Sequence, residues 1–244
     1  MRVFNWNILF SGDYKKQITF IKKFDPDIIT LQEVSQHFTN PGGNGNDVYA
    51  FFQENLPGYS SVYAPMTQHT SPLGTGWLGN AIFSKTPITS HTVHFLDNHP
   101  DGWGSDRNLL LATTNIAGKA LTVATTHLWV QRPDEPDSKE KTEETKKFLA
   151  YLPTMSPCIL TGDFNAAPQN NVVRECEKRF KNADPKHAPT FSCFPVYLRG
   201  LAINSLEYTF DYLFYTPEFV LVDFKILPGT TSDHTPIIAE LNWR

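Results

Sequence analysis

Residues 158–165 read CILTGDFN, and the fold turns on how this stretch is read. Cys158 to Thr161 is apolar and β-branched, so it reads as a strand, and Gly162 supplies a turn at its end. Asp163 and Asn165 then sit at the mouth of an apolar run, where burial without partners is costly. Taken alone, the pair is an ordinary Asx turn. The same pattern recurs along the chain, however. Asn5 and Asn7 interrupt "RVFNWNIL", Gln32 and Glu33 close "IITLQEV", and His127 closes "ALTVATTH". Asp211 interrupts "YTFDYLFYT", and Asp233 and His234 precede "TPIIAELNW". Each has its own local explanation: a turn, a loop cap, a satisfied imidazole, a wet sheet face. Five or more such coincidences are needed if they are independent, but one site suffices if the strand ends converge on a common rim.

The rest of the chain supplies a frame for such a rim. Asp13 caps a helix in which Ile18, Ile21 and Phe24 recur at helical spacing, and Asp47 or Asn46 caps "VYAFFQENL". The strand, helix and strand of the first 34 residues suggest a parallel crossover. "SSVYAPM" and "NAIFSK" are short strands, and "LLLATTNI" and "ALTVATTHL" form a hairpin about "AGK". "RPDEPDSKEKTEETKKFLAYL" is sign-mixed and reads as the solvated face of a helix. "NVVRECEKRF" is a short helix, and "FVLVDFKIL" joins the closing strands. There is no repeat, linker or low-complexity tract, so residues 1–244 are expected to form a single domain.

Composition narrows the class. The 244 residues are 40% hydrophobic and 19% charged, enough apolar content for a buried core and too little charge for a disordered chain. A formal net charge of -4 argues against sequence-blind duplex binding, which favours basic proteins. Cys158, Cys176 and Cys193 form no C-x-x-C pair and read as reduced thiols. "MRVFNWNILF" lacks a small-residue cleavage site, and no run approaches the roughly 18 apolar residues of a membrane helix. The expected compartment is the cytoplasm.

The recurring polar residues also point to a chemistry. Hard oxygen ligands such as Glu33 suit Mg²⁺ or Mn²⁺, whereas the scarcity of Cys and the absence of H-E-x-x-H spacing argue against zinc. Carboxylates, amides and imidazoles around a hard divalent ion meet the needs of phosphate ester hydrolysis. There is no nucleophile elbow, Gly-rich phosphate loop or dinucleotide fingerprint.

In this order, "NWNIL", "LQEV", "TTHL", "GDFNAAP", "FDYLF" and "SDHTPI" closely resemble the endonuclease/exonuclease/phosphatase superfamily, from Asn5 to Ile237. That group includes DNase I-like nucleases, abasic-site endonucleases, sphingomyelinases, inositol phosphatases and tyrosyl-DNA phosphodiesterases. The resemblance implies an α/β four-layer sandwich of two mainly antiparallel β-sheets packed face to face, with helices on the outer faces, and so sets aside the parallel crossover, since little of such a sheet is parallel. It implies that Glu33 is the principal metal ligand and Asp233 an auxiliary one, and that Asn7 lies near metal and phosphate. Asp163 would orient or deprotonate the attacking water, with Asn165 as its companion. His234 would contact the scissile phosphate and Asp211 would orient it. His127 is a general acid or a phosphate donor by this resemblance, and Arg107 reaches the phosphate.

The implied activity is a Mg²⁺- or Mn²⁺-dependent phosphoester hydrolase, more a diesterase than a monoesterase, acting on DNA or RNA as a plausible monomer. Alternatives are a phospholipid, sphingomyelin or inositol-phosphate hydrolase and, from another class, a non-catalytic binding module that keeps the fold. Specificity would reside in the aromatic, Gly-rich loops that carry Trp77, Trp103, Phe191, Phe194 and Tyr197.

Overall fold

Strand β1, Arg2–Asn7, is buried at every position but Arg2, which places it in the middle of a sheet rather than at an edge. Its side chains alternate between two environments. Phe4 and Trp6 pack toward helix α1 (Tyr14–Lys22) and helix α2 (Val48–Asn55), whereas Val3 faces a second sheet. Asn5 and Asn7 continue the inward-facing set. This computed structural model describes residues 1–39, 47–71, 74–97, 107–153, 157–229 and 231–244.

The first six-stranded sheet is ordered β13-β14-β1-β2-β4-β3. Besides β1 it contains β2 (Ile28–Thr39), β3 (Ser60–Ser71), β4 (Gly74–Ser84), β13 (Phe219–Ile226) and β14 (Ile237–Trp243). The second is ordered β5-β6-β7-β8-β12-β9, from β5 (Ile88–Asp97), β6 (Arg107–Ile116), β7 (Lys119–His127), β8 (Cys158–Asp163), β12 (Asp211–Tyr215) and β9 (Lys181–Asn182). A separate hairpin joins β10 (Val196–Leu198) to β11 (Leu201–Ile203). Helices α3 (Lys139–Tyr151) and α4 (Asn171–Arg179) cover the outer face of the second sheet. Val3, Ile28, Ile82, Leu110, Val123, Ile159, Leu213 and Ile237 fill the space between the sheets. The result is the four-layer sandwich that the sequence resemblance implies.

The parallel crossover first read from the opening strand, helix and strand, and then set aside on the family resemblance, is present after all. β1 and β2 run parallel, as do β7 and β8, while the other named pairings are antiparallel. Asp13 and Asp47 cap α1 and α2, accepting from Lys16 N at 3.1 Å and Ala50 N at 2.8 Å. Strands β5, β9, β10 and β11 were not expected from the sequence. The sign-mixed α3 also departs from its reading as a solvated face, because Lys141 and Glu144 are fully buried.

The parallel pairs at the centre of each sheet determine where the rim forms. β1 ends at Asn7 opposite Gln32, with β2 running on past it to Thr39, while the C-terminal ends of β7 and β8 emerge together, with His127 directly opposite Asp163. β12 starts at that same end, where Asp211 pairs with Asp163, and β14 starts there opposite Asn5. Beneath the rim, a polar seam ties the sheets together. Gln32 Nε2 donates to Asn5 Oδ1 and to Thr125 Oγ1 (2.9 Å each), and Thr161 Oγ1 donates to Thr30 Oγ1 at 2.8 Å. Cross-sheet hydrogen bonds of this kind fix the register of one sheet on the other.

At Gly162 the backbone has φ +145°, and an added Cβ would lie 2.2 Å from Thr126 O on β7. Only glycine permits this approach. Gly162→Ala is therefore expected to lower the unfolding free energy by about 3 kcal/mol or more, measured by urea denaturation.

Candidate active site

The strand alternation that fills the core also delivers the site. On β7, Leu121 and Val123 face inward, so Thr125 and His127 do too; on β8, Ile159 and Thr161 lead to Asp163. Glu33 breaks this rule. Strict alternation would turn it toward α1 and α2, opposite to Gln32. Instead, a bulge between Leu31 and Val34 puts Glu33 at φ +59° and turns its carboxylate into the rim. Asn7 Nδ2 then donates to Glu33 Oε1 at 3.1 Å and to Asp163 Oδ2 at 2.9 Å. Phe10 N donates to the other Glu33 oxygen at 3.2 Å.

Asp163 occupies the centre. Its Oδ2 lies 3.4 Å from His127 Nε2 and 3.5 Å from His234 Nε2, and its Oδ1 accepts from Asn165 N at 2.9 Å. His234 Nδ1 donates to Asp211 Oδ2 at 2.8 Å. The ring also packs against Phe191, with centroids 4.7 Å apart. Its backbone is fixed from two sides: Trp6 Nε1 donates to His234 O, and Ser232 Oγ accepts from His234 N while donating to Asn7 O. Asn165, at φ +45°, donates from Nδ2 to Leu128 O at 3.1 Å, which holds the turn after β8 against β7.

Burial and charge set the protonation states. Burial by itself would depress the His234 pKa, but Asp211, Asp163, the hydrogen bond to Asp211 and Asp233 outweigh it and hold it well above the usual histidine value. His234 is therefore a buried imidazolium. His127 lies well below that value, depressed by burial and then by the charges of Arg107, His234 and Lys141, and is neutral. Burial pushes Asp163 up to about 6, opposed by the His234 charge and raised further by Asp211. It is ionised at neutral pH yet more basic than a surface carboxylate.

Glu33 and Asp233 are both half-buried at the same rim. The Glu33 carboxyl is raised first by desolvation and then by the charge of Asp233, so two acidic side chains face one space. Among the described residues, no three His, Cys, Asp or Glu side chains are arranged to cage a metal ion. Mg²⁺ does not require such a cage, since one or two carboxylates with water and substrate phosphate suffice. The donor set therefore fits a hard divalent ion. Asn7 turns its amide nitrogen to the carboxylates, because its oxygen accepts from Leu9 N at 3.0 Å.

Several contributors were not singled out from sequence. Lys141 Nζ, wholly buried, donates to Trp129 O at 2.7 Å and Phe164 O at 2.9 Å, and lies 3.3 Å from Glu144. Glu144 Oε1 accepts from Trp129 N at 2.7 Å. This ion pair in α3 thus clamps the backbone beyond His127 and between Asp163 and Asn165. Thr190 Oγ1 accepts from Phe210 N and Asp211 N, which fixes the start of β12. An i,i+3 Lys/Glu pair on a charged helix carries no sign of burial, so sequence offered no signal for it. Arg107 is buried, and its Nε has no hydrogen-bond partner. Of the loop aromatics, Trp103 lies outside the described residues. Phe191 is buried against His234, and Trp77 and Tyr197 prove to lie on strands β4 and β10 rather than on loops; both are exposed, as is Phe194.

A family model described as the endonuclease/exonuclease/phosphatase family matches residues 4–234. Among solved structures, an endonuclease/exonuclease/phosphatase from Beutenbergia cavernae is similar at a TM-score of 0.81 and 24% identity, covering 100% of this chain and 71% of that one. The human Nocturnin catalytic domain with bound sulfate is similar at a TM-score of 0.72 and 20% identity, covering 100% and 93%. A mannosyl-6-phosphatase of Bacteroides thetaiotaomicron gives a TM-score of 0.70 at 19% identity over 100% of both chains. No curated protein sequence matches the chain.

Removing one partner of a buried ion pair leaves an uncompensated charge. Lys141→Met is expected to destabilise the protein by about 3–5 kcal/mol in urea denaturation. A loss below about 1 kcal/mol would mean that the clamp carries little.

Proposed function

The chain belongs to the endonuclease/exonuclease/phosphatase family, and on that premise we propose that it is a divalent-metal-dependent phosphodiesterase acting on nucleic acid. The observation that carries this reading is the position of Asp163 Oδ2, which lies within 3.5 Å of both imidazole Nε2 atoms and accepts from Asn7. A carboxylate beside a buried imidazolium is a base next to an anion receptor, as hydrolysis of a phosphate diester requires.

Glu33 and Asp233 would hold Mg²⁺ or Mn²⁺, with Asn7 tethering Glu33 from the side. When bound, that ion supplies positive charge to the phosphoryl oxygens and to the attacking water. The chain's own groups do the rest. Asp163 orients the water and takes its proton, helped by a pKa near 6 that keeps it ionised but basic at neutral pH. Asn165, held by Leu128 O, positions that water beside Asp163. His234 keeps its proton because Asp211 pairs with Nδ1, so Nε2–H faces the phosphate oxygens as a cationic donor. His127 is neutral, which suits a hydrogen-bond donor to the phosphate better than a general acid. Arg107 adds positive charge on the β6 side. The retention of Glu33, Asp163, Asn165, Asp211 and His234 in mutual contact or proximity favours an enzyme over a binding module, since packing alone does not demand this set.

The test is hydrolysis of bis-p-nitrophenyl phosphate with Mg²⁺ or Mn²⁺ and with EDTA. Turnover is expected only with metal, and Asp163→Ala and His234→Ala are each expected to lower kcat by about 10³-fold with the fold retained by circular dichroism. Unchanged turnover in Asp163→Ala would overturn the assignment. Metal binding has an independent readout. With a raised folded-state pKa, ionised Glu33 lowers stability above pH 4.5, and protonation restores it as pH falls through the folded value. Glu33→Gln is therefore expected to raise Tm in EDTA at pH 7 and to shrink the Tm gain on adding Mg²⁺. An undiminished gain would remove Glu33 from the metal site.

A further inference from the structure

Behind the segment that carries Asp233 and His234 lies a groove of about 500 Å³. Helix α1 and its C-cap form one wall with Lys15, Thr19, Phe20 and Lys23, and Pro228 and Gly229 form the other. Buried Trp6 lies beneath, with its ring 5.8 Å from that of Phe20. None of these residues belongs to the hydrolytic centre. The volume is that of a small-molecule site, which spans roughly 300–1,000 Å³.

Charge selects what would fit. Asp13 is the one carboxylate among the lining residues, and it pairs with Lys16 at 3.0 Å. Lys15 and Lys23 therefore stand in the groove without a counter-charge, on a chain whose formal net charge is -4. The Lys23 ammonium lies 5.9 Å from the centre of the Phe20 ring, so a cation and an aromatic face are presented together. An apolar floor under a cationic rim suits a ligand with an aromatic body and an anionic head.

The groove is also coupled to the site from three directions. Trp6 Nε1 donates to His234 O at 2.8 Å. A Cβ added at Gly229 would lie 2.9 Å from Pro236 Cδ and 3.3 Å from His234 O, so this wall packs directly on the His234 segment. On the helix side, the wholly buried Gln17 donates from Nε2 to Thr231 O at 2.9 Å and to Ile8 O. That one amide joins the end of β1, just past Asn7, to the backbone two residues before Asp233. A body wedged between α1 and Pro228–Gly229 bears on the backbone that sets His234.

We propose that this groove is an effector site for a small aromatic anion of the aryl carboxylate class, whose ring lies against Phe20 and Trp6 and whose carboxylate is taken by Lys15 and Lys23. Occupancy is transmitted to His234 through Trp6 and Gly229. The binding site itself does not depend on the phosphodiesterase reading.

Calorimetric titration of the full chain with naphthalene-1-acetate, naphthalene-1-methanol and naphthalene-1-methylamine tests this, since the three place an anion, a neutral group and a cation on one ring. The acetate is expected to bind about tenfold more tightly than the alcohol, the amine more weakly than either, and the advantage of the acetate to shrink as KCl is raised. Combining Lys15→Glu with Lys23→Glu is expected to invert that order. Thr19→Trp, which fills the groove from an exposed position on α1, is expected to remove binding of all three. Circular dichroism checks that both variants fold. The effect on the site is read from the NMR signal of the His234 Nδ1 proton, which reports the hydrogen bond to Asp211. Saturation with the acetate is expected to shift that signal in the wild type and not in Thr19→Trp. No binding, equal affinities across the three ligands, or an order unchanged in the double variant would overturn the anion site. Binding that leaves the His234 signal unmoved would overturn its role as an effector site. Hydrolysis of bis-p-nitrophenyl phosphate, run alongside, keeps the two proposals apart: hydrolysis without acetate binding would sink the groove alone, and acetate binding without hydrolysis would sink the phosphodiesterase reading alone.

Discussion

One imidazole between two buried carboxylates governs this structure. His234 reaches Asp211 through Nδ1 at 2.8 Å and approaches Asp163 through Nε2 at 3.5 Å. Neither acid would be tolerated at this depth as an isolated charge, and the imidazole would lose its proton without them. The three groups stabilise one another only while their spacing holds. They come from β8, from the start of β12 and from the loop before β14, so that spacing demands that both sheets stay in register. The fixed contacts around them serve this demand: Trp6 and Ser232 on the His234 backbone, Thr190 on the Asp211 backbone and Asn165 on Asp163.

The architecture meets the demand by placing a parallel strand pair at the centre of each sheet. β7 and β8 end together at His127 and Asp163, and β1 ends at Asn7 beside the point where the bulge in β2 turns Glu33 into the rim. Below them the cross-sheet bonds of Gln32 to Thr125 and Thr161 to Thr30 replace apolar packing with directional contacts. Directional contacts fix relative position where apolar ones allow sliding. Behind the second sheet, Lys141 and Glu144 grip backbone on either side of the rim from the buried face of α3, which also carries Thr145 and Phe148.

Much of this was legible in residue order. The caps at Asp13 and Asp47, the hairpin about Ala117–Gly118 and the closing strands follow from local propensity and spacing, and those elements form where that reading puts them. Polar residues ending apolar strands marked Asn7, Glu33, His127, Asp163, Asp211 and His234 as one set. Other parts were not legible. The short strands β9, β10 and β11 lack enough residues for a period to show. Burial of Lys141 depends on where Trp129 and Phe164 present their carbonyls, 12 and 23 residues away in sequence.

The amino-acid sequence determined which side chains gather, because strand alternation and an apolar run ending in a polar group are local properties of neighbouring residues. It also determined the family, through motifs in a fixed order. Only the tertiary structure decided how those side chains differ. The bulge at Glu33 overrides alternation, and burial, reinforced by the charges of Arg107, His234 and Lys141, leaves His127 neutral while neighbouring carboxylates keep His234 charged. Protonation and direction depend on what lies across the sheets and on how little water reaches between them, and neither is a property of any stretch of chain taken alone.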